Sequence, residues 1–276
     1  MTLSAADFAF VASLVRRESA IVLGPGKEYL VEARLIPVAR QAGAASVSEF
    51  LARIQRNPDP EAQRKIVDAL TTNETSWFRD QDPFTALTQH VLPELIQARA
   101  ASRHIRLWSA ACSSGQEPYS LALLLREHFP DACAARAVRI VATDLSPSML
   151  EKARAGRYSQ LEVGRGVPAP MLARWFSRRG VHWELHPEVR AMVEFRAVNL
   201  ADRATWASVP PVLDLVLLRN VLIYFDSPTK KEVLEGVRAR LRPDGVLLLG
   251  ASETTLGLTG SFARVQSGQT TYYRPR

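Results

Sequence analysis

With 276 residues, 47% of them hydrophobic and 23% charged, the chain has the make-up of a globular protein, long enough for one large domain and a smaller one. No run approaches the ~18 uninterrupted apolar residues of a membrane span; the most apolar stretch, residues 212–225, is broken by Asp214 and Arg219. The net charge of +7 fits a nucleic-acid binder, a protein that approaches an acidic partner, or a solvated basic face without a partner.

The start of the chain carries Asp7 but no basic residue before Arg16, so the basic opening of a secretory signal is missing. Cys112 and Cys133 form no CxxC pair and are too few for a disulfide framework. A cytoplasmic protein with reduced thiols is the expectation. The positive charge is local: residues 1–90 hold 10 Lys and Arg against 11 Asp and Glu, whereas residues 152–196 hold 9 against 4. Arg157, Arg165, Arg174, Arg178, Arg179 and Arg190 make up that cluster.

In chain order, apolar positions first recur at helical spacing: Phe8, Val11, Leu14 and Val15, then Leu30, Ala33, Leu35, Ile36 and Val38. Ser46 lies three residues before Glu49, the pattern of a capping box, and Leu51 and Ile54 continue the stripe of that third helix. Asn57-Pro-Asp-Pro ends it, and residues 61–70 predict a fourth. A small all-α domain over residues 1–75 is expected, followed by a linker over 76–100. From residue 105 the period changes. Strands are predicted at 105–110, 138–143, 193–198, 213–218 and 246–250, with helices at 117–127, 147–155 and 228–241 and last strands near 262–265 and 270–274. That alternation predicts an α/β domain over 101–276, a doubly wound and mostly parallel sheet. Between the second helix and the third strand lie ~40 residues, far beyond an ordinary loop, so a subdomain is expected there, containing the basic cluster.

The turn after the first of these strands reads Ala110-Ala-Cys-Ser-Ser-Gly-Gln-Glu117. Its single Gly115 permits a close approach, but the GxGxxG pyrophosphate pattern and the P-loop Gly-Lys-Ser/Thr are both missing. After the second strand comes Asp144, placed either to accept two ribose hydroxyls or, with Ser146 ahead of Pro147, to cap the next helix. Together the two features favour a ribose-bearing ligand without a diphosphate, and S-adenosylmethionine is the candidate.

Five stretches, TTNETSWFRD (71–80), WSAACSSGQEPYSLA (108–122), ATDLSPSMLEKARAGRY (142–158), FRAVNL (195–200) and LLRNVLIYFD (217–226), occur in an order and spacing that resembles the chemotaxis receptor methyltransferase (CheR) family. The likeness runs through nearly the whole chain. It implies the S-adenosylmethionine-dependent methyltransferase type of sheet with a small antiparallel β-subdomain inserted at about 157–196. It further implies methyl transfer to glutamate side chains of methyl-accepting chemotaxis proteins, a protein-glutamate O-methyltransferase that leaves S-adenosylhomocysteine. The partner implied is the cytoplasmic helical region of those receptors, met by a monomer, with neither nucleic acid nor membrane insertion expected.

Carried over position by position, the likeness implies cofactor contacts from Asn73, Thr75, Arg79, Gly115, Glu117, Asp144, the Asn199-Leu200 pair and Arg219-Asn220. It implies catalytic roles for Arg79 and Tyr224, and receptor docking through Arg178, Arg179 and Gly180 of the insertion. Glu117 suits an ammonium group through a charge-assisted hydrogen bond, although a first-turn acid is favoured by the helix dipole as well. Many family members carry Glu where this chain has Gln116, read here as peripheral.

No metal is expected: His182 and His186 stand four apart with no further ligand. Ser113, Ser114 and Gly115 make no GxSxG elbow, which argues against a hydrolase. Two rival readings of the same residues are a nucleic-acid methyltransferase, suggested by the basic charge, and a non-catalytic S-adenosylmethionine-binding regulator that docks on receptors. The first calls for an Asn/Asp-Pro-Pro-aromatic stretch where this chain has Arg219-Asn-Val-Leu-Ile-Tyr224, and the second for loss of Arg79 or Tyr224, both of which are present.

Overall fold

The computed structural model describes residues 3–134 and 138–276. The chain divides into two compact units, the residues up to Thr72 together with Tyr224–Thr229, and Asn73–Ile223 together with Lys230–Arg276.

The first unit is built from four helices, α1 (Ala5–Ser19), α2 (Glu28–Gln41), α3 (Val47–Arg56) and α4 (Pro60–Leu70). Several of these start where the sequence satisfies the unpaired N–H groups of a helix end. The Ser4 side chain accepts from Asp7 N–H, and the Asp59 side chain from Glu61 N–H with Pro60 in the first turn. Ser46 accepts from Glu49 N–H as predicted, but the Glu49 carboxylate accepts from Ala45 N–H rather than Ser46 N–H. The expected capping box is therefore shifted by one residue on its return arm. Val11, Leu14, Val15, Val31, Leu35, Leu51, Ile54 and Ile66 form a core of this unit's own. Tyr224 clusters here, its carbonyl accepting from Val22 N–H at 2.9 Å, and Asp226 pairs with Arg16.

The second unit opens with a helical run where the sequence predicts a linker: α5 (Asp82–Ala86), a π-helical turn (Leu87–Val91) and α6 (Leu92–Ala98). Phe84, Leu87, Val91, Leu92 and Leu95 from this run join Trp77 in the core beneath the sheet. The strands are β1 (Ile105–Ala110), β2 (Val138–Asp144), β3 (Arg157–Ser159), β4 (Phe176–Arg179), β5 (His182–Leu185), β6 (Val193–Ala197), β7 (Leu213–Leu218), β8 (Leu241–Leu249), β9 (Phe262–Ser267) and β10 (Thr270–Pro275). The helices are α7 (Gln116–His128), α8 (Pro130–Ala134), α9 (Pro147–Ala155), α10 (Gln160–Gly164), α11 (Ala169–Trp175), α12 (Pro187–Arg190) and α13 (Ser227–Arg240), the last of which belongs to this unit from Lys230 onward. Seven strands form one sheet in the order β6-β2-β1-β7-β8-β10-β9, with β6, β2, β1, β7 and β8 parallel and the β9–β10 hairpin antiparallel. The chain order reverses between β1 and β7, the switch point where doubly wound sheets open a crevice at their carboxyl ends. β1 is buried at every position but Arg106 and β7 at every position, as strands covered on both faces must be.

The insertion is a second sheet, antiparallel in the order β3-β5-β4, as the family likeness implies. It also carries the short helices α10, α11 and α12, which the sequence does not announce. Strand β8 begins at Leu241 rather than Val246, with a register irregularity between those two residues, which pair with Leu213 and Leu215. No helix among the described residues is long and apolar enough to cross a membrane.

Candidate active site

The loop leaving β1 carries two non-glycine residues in the left-handed region, Ala111 (φ 60°) and Ser113 (φ 50°), each costing about 1–2 kcal/mol. Hydrogen bonds over-determine it. Ser113 N–H donates to Asp144 Oδ2 at 2.7 Å, Ser113 Oγ to the Asn73 carbonyl at 2.7 Å, and Cys112 N–H to the Thr143 carbonyl at 2.9 Å. Tyr158, from β3, donates its hydroxyl to the Ser114 carbonyl at 2.8 Å. Gly115 caps α7 at φ 93°; a Cβ there would lie 3.0 Å from Ala153 and 3.2 Å from Tyr119 and Tyr158. The glycine thus serves backbone shape and packing against its own chain, in addition to any ligand. Gln116 is fully buried, not peripheral, and its Oε1 accepts from Ser114 Oγ at 2.8 Å.

Asp144 is buried at the end of β2 and accepts from Ser113 N–H and, through Oδ1, from Ser146 N–H at 2.9 Å. The helix cap of α9 is Ser146, whose Oγ accepts from Met149 N–H, so Asp144 is not spent on capping. Asn199 follows β6 in a tight turn: its Oδ1 accepts from Ala201 N–H, and its carbonyl from the Trp206 indole N–H at 3.1 Å. Trp206 stacks edge-on against Trp108 of β1, which ties this turn to the centre of the sheet. Leu200 is buried beside it.

Glu117 and Arg219 meet at the switch point. Arg219, 1% exposed, donates to Glu117 Oε2 at 3.1 Å, to Asp80 Oδ2 at 2.8 Å and to the Arg79 carbonyl at 2.9 Å, while Ser109 Oγ donates to Glu117 Oε1 at 2.8 Å. Burial raises the Glu117 carboxyl pKa, opposed by Arg219 and Ser109. The segment bearing Arg79 is held from several sides: Phe78 N–H donates to Ser120 Oγ, Trp77 N–H to the Arg165 carbonyl, and the Trp77 ring packs edge-on against Tyr158 and Phe176. Phe78 (φ 46°), Asp80 (φ 69°) and Gln81 (φ 49°) are all left-handed, a concentration of backbone strain of the kind found where function demands one geometry. Arg79 itself is half-buried and donates to the Glu74 carbonyl at 3.2 Å.

The structure therefore gathers these residues at the carboxyl ends of β1, β2 and β7 in two hydrogen-bonded sets, Asn73 and Asp144 on Ser113, and Glu117 and the Arg79 carbonyl on Arg219, with Gly115 between Ser113 and Glu117 in the chain. Thr75 lies half-buried in the same segment as Asn73, and Asn220 directly follows Arg219. Tyr224 belongs to the other unit's cluster. Arg178 and Arg179 end β4 and Gly180 opens the exposed turn to β5, and neither arginine has a side-chain partner among the described residues. The donor set suits a cationic nucleoside without phosphates: a buried carboxylate for an ammonium, an acid at the end of β2 for a ribose diol, and a loop free of Lys and Arg.

The sequence matches the family model "CheR methyltransferase, SAM binding domain" over residues 73–271 and "CheR methyltransferase, all-alpha domain" over residues 6–71. The chain belongs to the CheR methyltransferase family. Chemotaxis protein methyltransferase 1 of Pseudomonas aeruginosa is 44% identical over the whole of both chains. Chemotaxis protein methyltransferase Cher2 of Pseudomonas putida is 40% identical over 98% of each chain, and the Salmonella typhimurium chemotaxis protein methyltransferase is 34% identical over 99% of this chain and 91% of its own. As a CheR methyltransferase the protein uses S-adenosylmethionine, in agreement with the donor set described above.

The sequence alone points to none of Ser109, Ser120 and Tyr158. Tyr158 and Ser109 hold the loop and the Glu117 carboxylate, and their bonds run to residues 44 and 8 positions away. A buried Tyr must find a partner for its hydroxyl, which is the one available signal for Tyr158.

Proposed function

We propose that this CheR methyltransferase esterifies glutamate side chains in the cytoplasmic helices of methyl-accepting chemotaxis receptors. The observation that carries the reading is the full-length similarity to chemotaxis protein methyltransferases, joined to a crevice whose buried Glu117 is already paired. When bound, the cofactor supplies a methyl group made electrophilic by a sulfonium sulfur. The acceptor needs no general base, since a glutamate side chain with a pKa near ~4.3 is an anion at neutral pH.

What the chain must contribute is orientation and exclusion of water. Holding the carboxylate in line is worth up to roughly 7–11 kcal/mol. Arg79, presented by a segment pinned at Phe78 and Asp80, is assigned to orient the acceptor through paired N–H donors, and Tyr224 to give one further hydrogen bond. Glu117 would take the cofactor's ammonium, Asp144 its ribose, and the turn at Asn199 and Leu200 its adenine. Thr75, Arg219 and Asn220 complete the binding set. Arg219 contributes by holding the Glu117 carboxylate in place and anchoring Asp80.

The test is transfer of radiolabelled methyl from S-adenosylmethionine to a receptor cytoplasmic fragment, followed by mild base. Base-labile label is expected from the protein, with transfer slowed about tenfold or more in Arg79→Ala. Label that survives base would rule out a carboxyl ester.

The turn of the insertion supports a docking role, because Arg178 and Arg179 are exposed and uncompensated while Arg165, Arg174 and Arg190 of the same cluster are paired with Glu74, Glu127 and Glu184. Reversing both, Arg178→Glu with Arg179→Glu, is expected to raise the KM for receptor about fivefold at low salt, to leave kcat unchanged and to flatten the salt dependence. Kinetics indistinguishable from wild type at low salt would remove this turn from the docking surface.

A further inference from the structure

Beyond β8 the chain turns through Gly250-Ala-Ser-Glu253, and one carboxylate there gathers four backbone N–H groups. Glu253 Oε2 accepts from Gly250 at 2.7 Å and Asn220 at 2.7 Å; Oε1 accepts from Val221 at 2.9 Å and Leu222 at 2.7 Å. Three of the donors are consecutive residues of the segment leaving β7. For successive N–H groups to converge on one acceptor the backbone must turn sharply, and Asn220 does so in the left-handed region at φ 59°. The fit is close on the other side as well: a Cβ on residue 250 would lie 2.7 Å from Glu253 Oε2, 2.8 Å from Asn220 Nδ2 and 2.9 Å from Asn220 N.

This arrangement stands at the carboxyl ends of β7 and β8, one residue from Arg219. Its charge reaches the crevice: burial is what chiefly raises the pKa of Glu117, and Glu253 adds a small push in the same direction. No neutral side chain would satisfy four inward-pointing N–H groups, since an amide offers one oxygen and turns an NH₂ toward the remaining donors. The carboxylate is therefore matched to the task of holding this segment.

We propose that Glu253 is a positioning residue for methyl transfer, fixing through its N–H contacts the Asn220–Leu222 segment that borders the cofactor and leads along the chain to Tyr224. This rests on the crevice being the methyl-transfer site, and is independent of which acceptor is methylated. Both carboxylate oxygens of Glu253 are engaged by backbone N–H groups, so it acts through the backbone it holds.

Binding of S-adenosylhomocysteine by titration calorimetry, together with thermal unfolding, tests it in Glu253→Gln. The comparison is Val246→Ala, a cavity variant in β8 that lowers stability without touching the clamp. Glu253→Gln is expected to melt cooperatively, to bind S-adenosylhomocysteine about tenfold more weakly, and to lose kcat. Val246→Ala is expected to bind as wild type. Binding by Glu253→Gln within twofold of wild type would overturn the proposal, as would a loss of affinity in Val246→Ala in step with its melting temperature. Should Glu253→Gln not fold, Gly250→Ala, which keeps the carboxylate and crowds it, takes the same measurement with the same two outcomes. Because binding is read without an acceptor, failure of the receptor assay leaves this result standing.

Discussion

Glu117→Ala is expected to weaken S-adenosylhomocysteine binding about 10²-fold. A charge-assisted hydrogen bond contributes about 1.5–3 kcal/mol, which at about 1.4 kcal/mol per decade is roughly 10- to 150-fold. A second effect adds to it. Arg219 is 1% exposed and is held by Glu117 on one side and Asp80 on the other. With Glu117 gone, its charge is left half-compensated where the ligand's ammonium should sit, turning an attraction into a repulsion. Glu117→Gln keeps the volume and one acceptor for Ser109 Oγ, so its loss should fall between Ala and wild type. Titration calorimetry at neutral pH checks all three. Equal affinities would show that the ammonium is held elsewhere.

The same residue gives the binding a pH dependence of known sign. The folded-state pKa of Glu117 is raised above its ordinary 4.5, first by burial. Ligand affinity, which needs the carboxylate, should therefore begin to fall at a higher pH than an exposed glutamate would produce. Folding responds in the opposite sense. A raised acid pKa means the folded chain holds the proton more tightly, so this group costs stability while ionised and that cost disappears as pH falls through the folded value. A decline in affinity without a decline in melting temperature between neutral and mildly acid pH would separate the two effects.

How much of the fold is legible in the sequence depends on whether a residue's partners are local. Strands β1 and β7 and helix α9 occupy the predicted residues, because a short, mostly apolar run, or Ser-Pro opening a periodic one, announces itself within one window. Helix α6 and the turn before it look like a linker, although Leu87, Val91, Leu92 and Leu95 stand at helical spacing; Pro83 and Pro93 interrupt the pattern while occupying first-turn positions where they are tolerated. The short helices of the insertion are four to seven residues long and are stabilised by packing rather than propensity. At the site, Gly115 and Asp144 draw notice in the sequence because one follows closely on a recognisable strand and the other ends one, whereas Glu117 reads by itself as an ordinary first-turn acid. Arg79 and Tyr224 stand out only through family likeness. Glu253 does not stand out at all, since most of its donors lie about thirty residues away and are backbone groups that carry no sequence signature.

Asp214→Ala should destabilise the fold by about 3–5 kcal/mol, the usual cost of removing one partner from a buried, hydrogen-bonded ion pair. Asp214 is 1% exposed at the start of β7, the end of the sheet opposite the crevice. Its Oδ1 accepts from Arg99 Nε at 2.6 Å and lies 3.2 Å from Arg242 Nε, while Oδ2 accepts from Arg106 N–H at 2.8 Å. One carboxylate thereby fastens the end of α6, β1 and β8 to β7, and its removal leaves Arg99 to Asp244 alone and takes this acceptor from the Arg106 N–H. At about 2–4 °C per kcal/mol for a unit of this size, the melting temperature should drop by roughly 10 °C. Asp244 makes the instructive contrast. It also pairs with Arg99, at 2.6 Å, and that bond holds its pKa below the ordinary value, but its side chain is half-exposed. Its contribution is present above the unfolded-state pKa and is lost as pH falls through the depressed folded value, and in water's reach it amounts to no more than about 1 kcal/mol. Asp244→Ala should therefore shift the melting curve by only a few degrees. If the two variants melt together, the desolvation of Asp214 must consume nearly all that its bonds supply, and the network's purpose would be to fix the register of β7 against β8 rather than to stabilise the sheet.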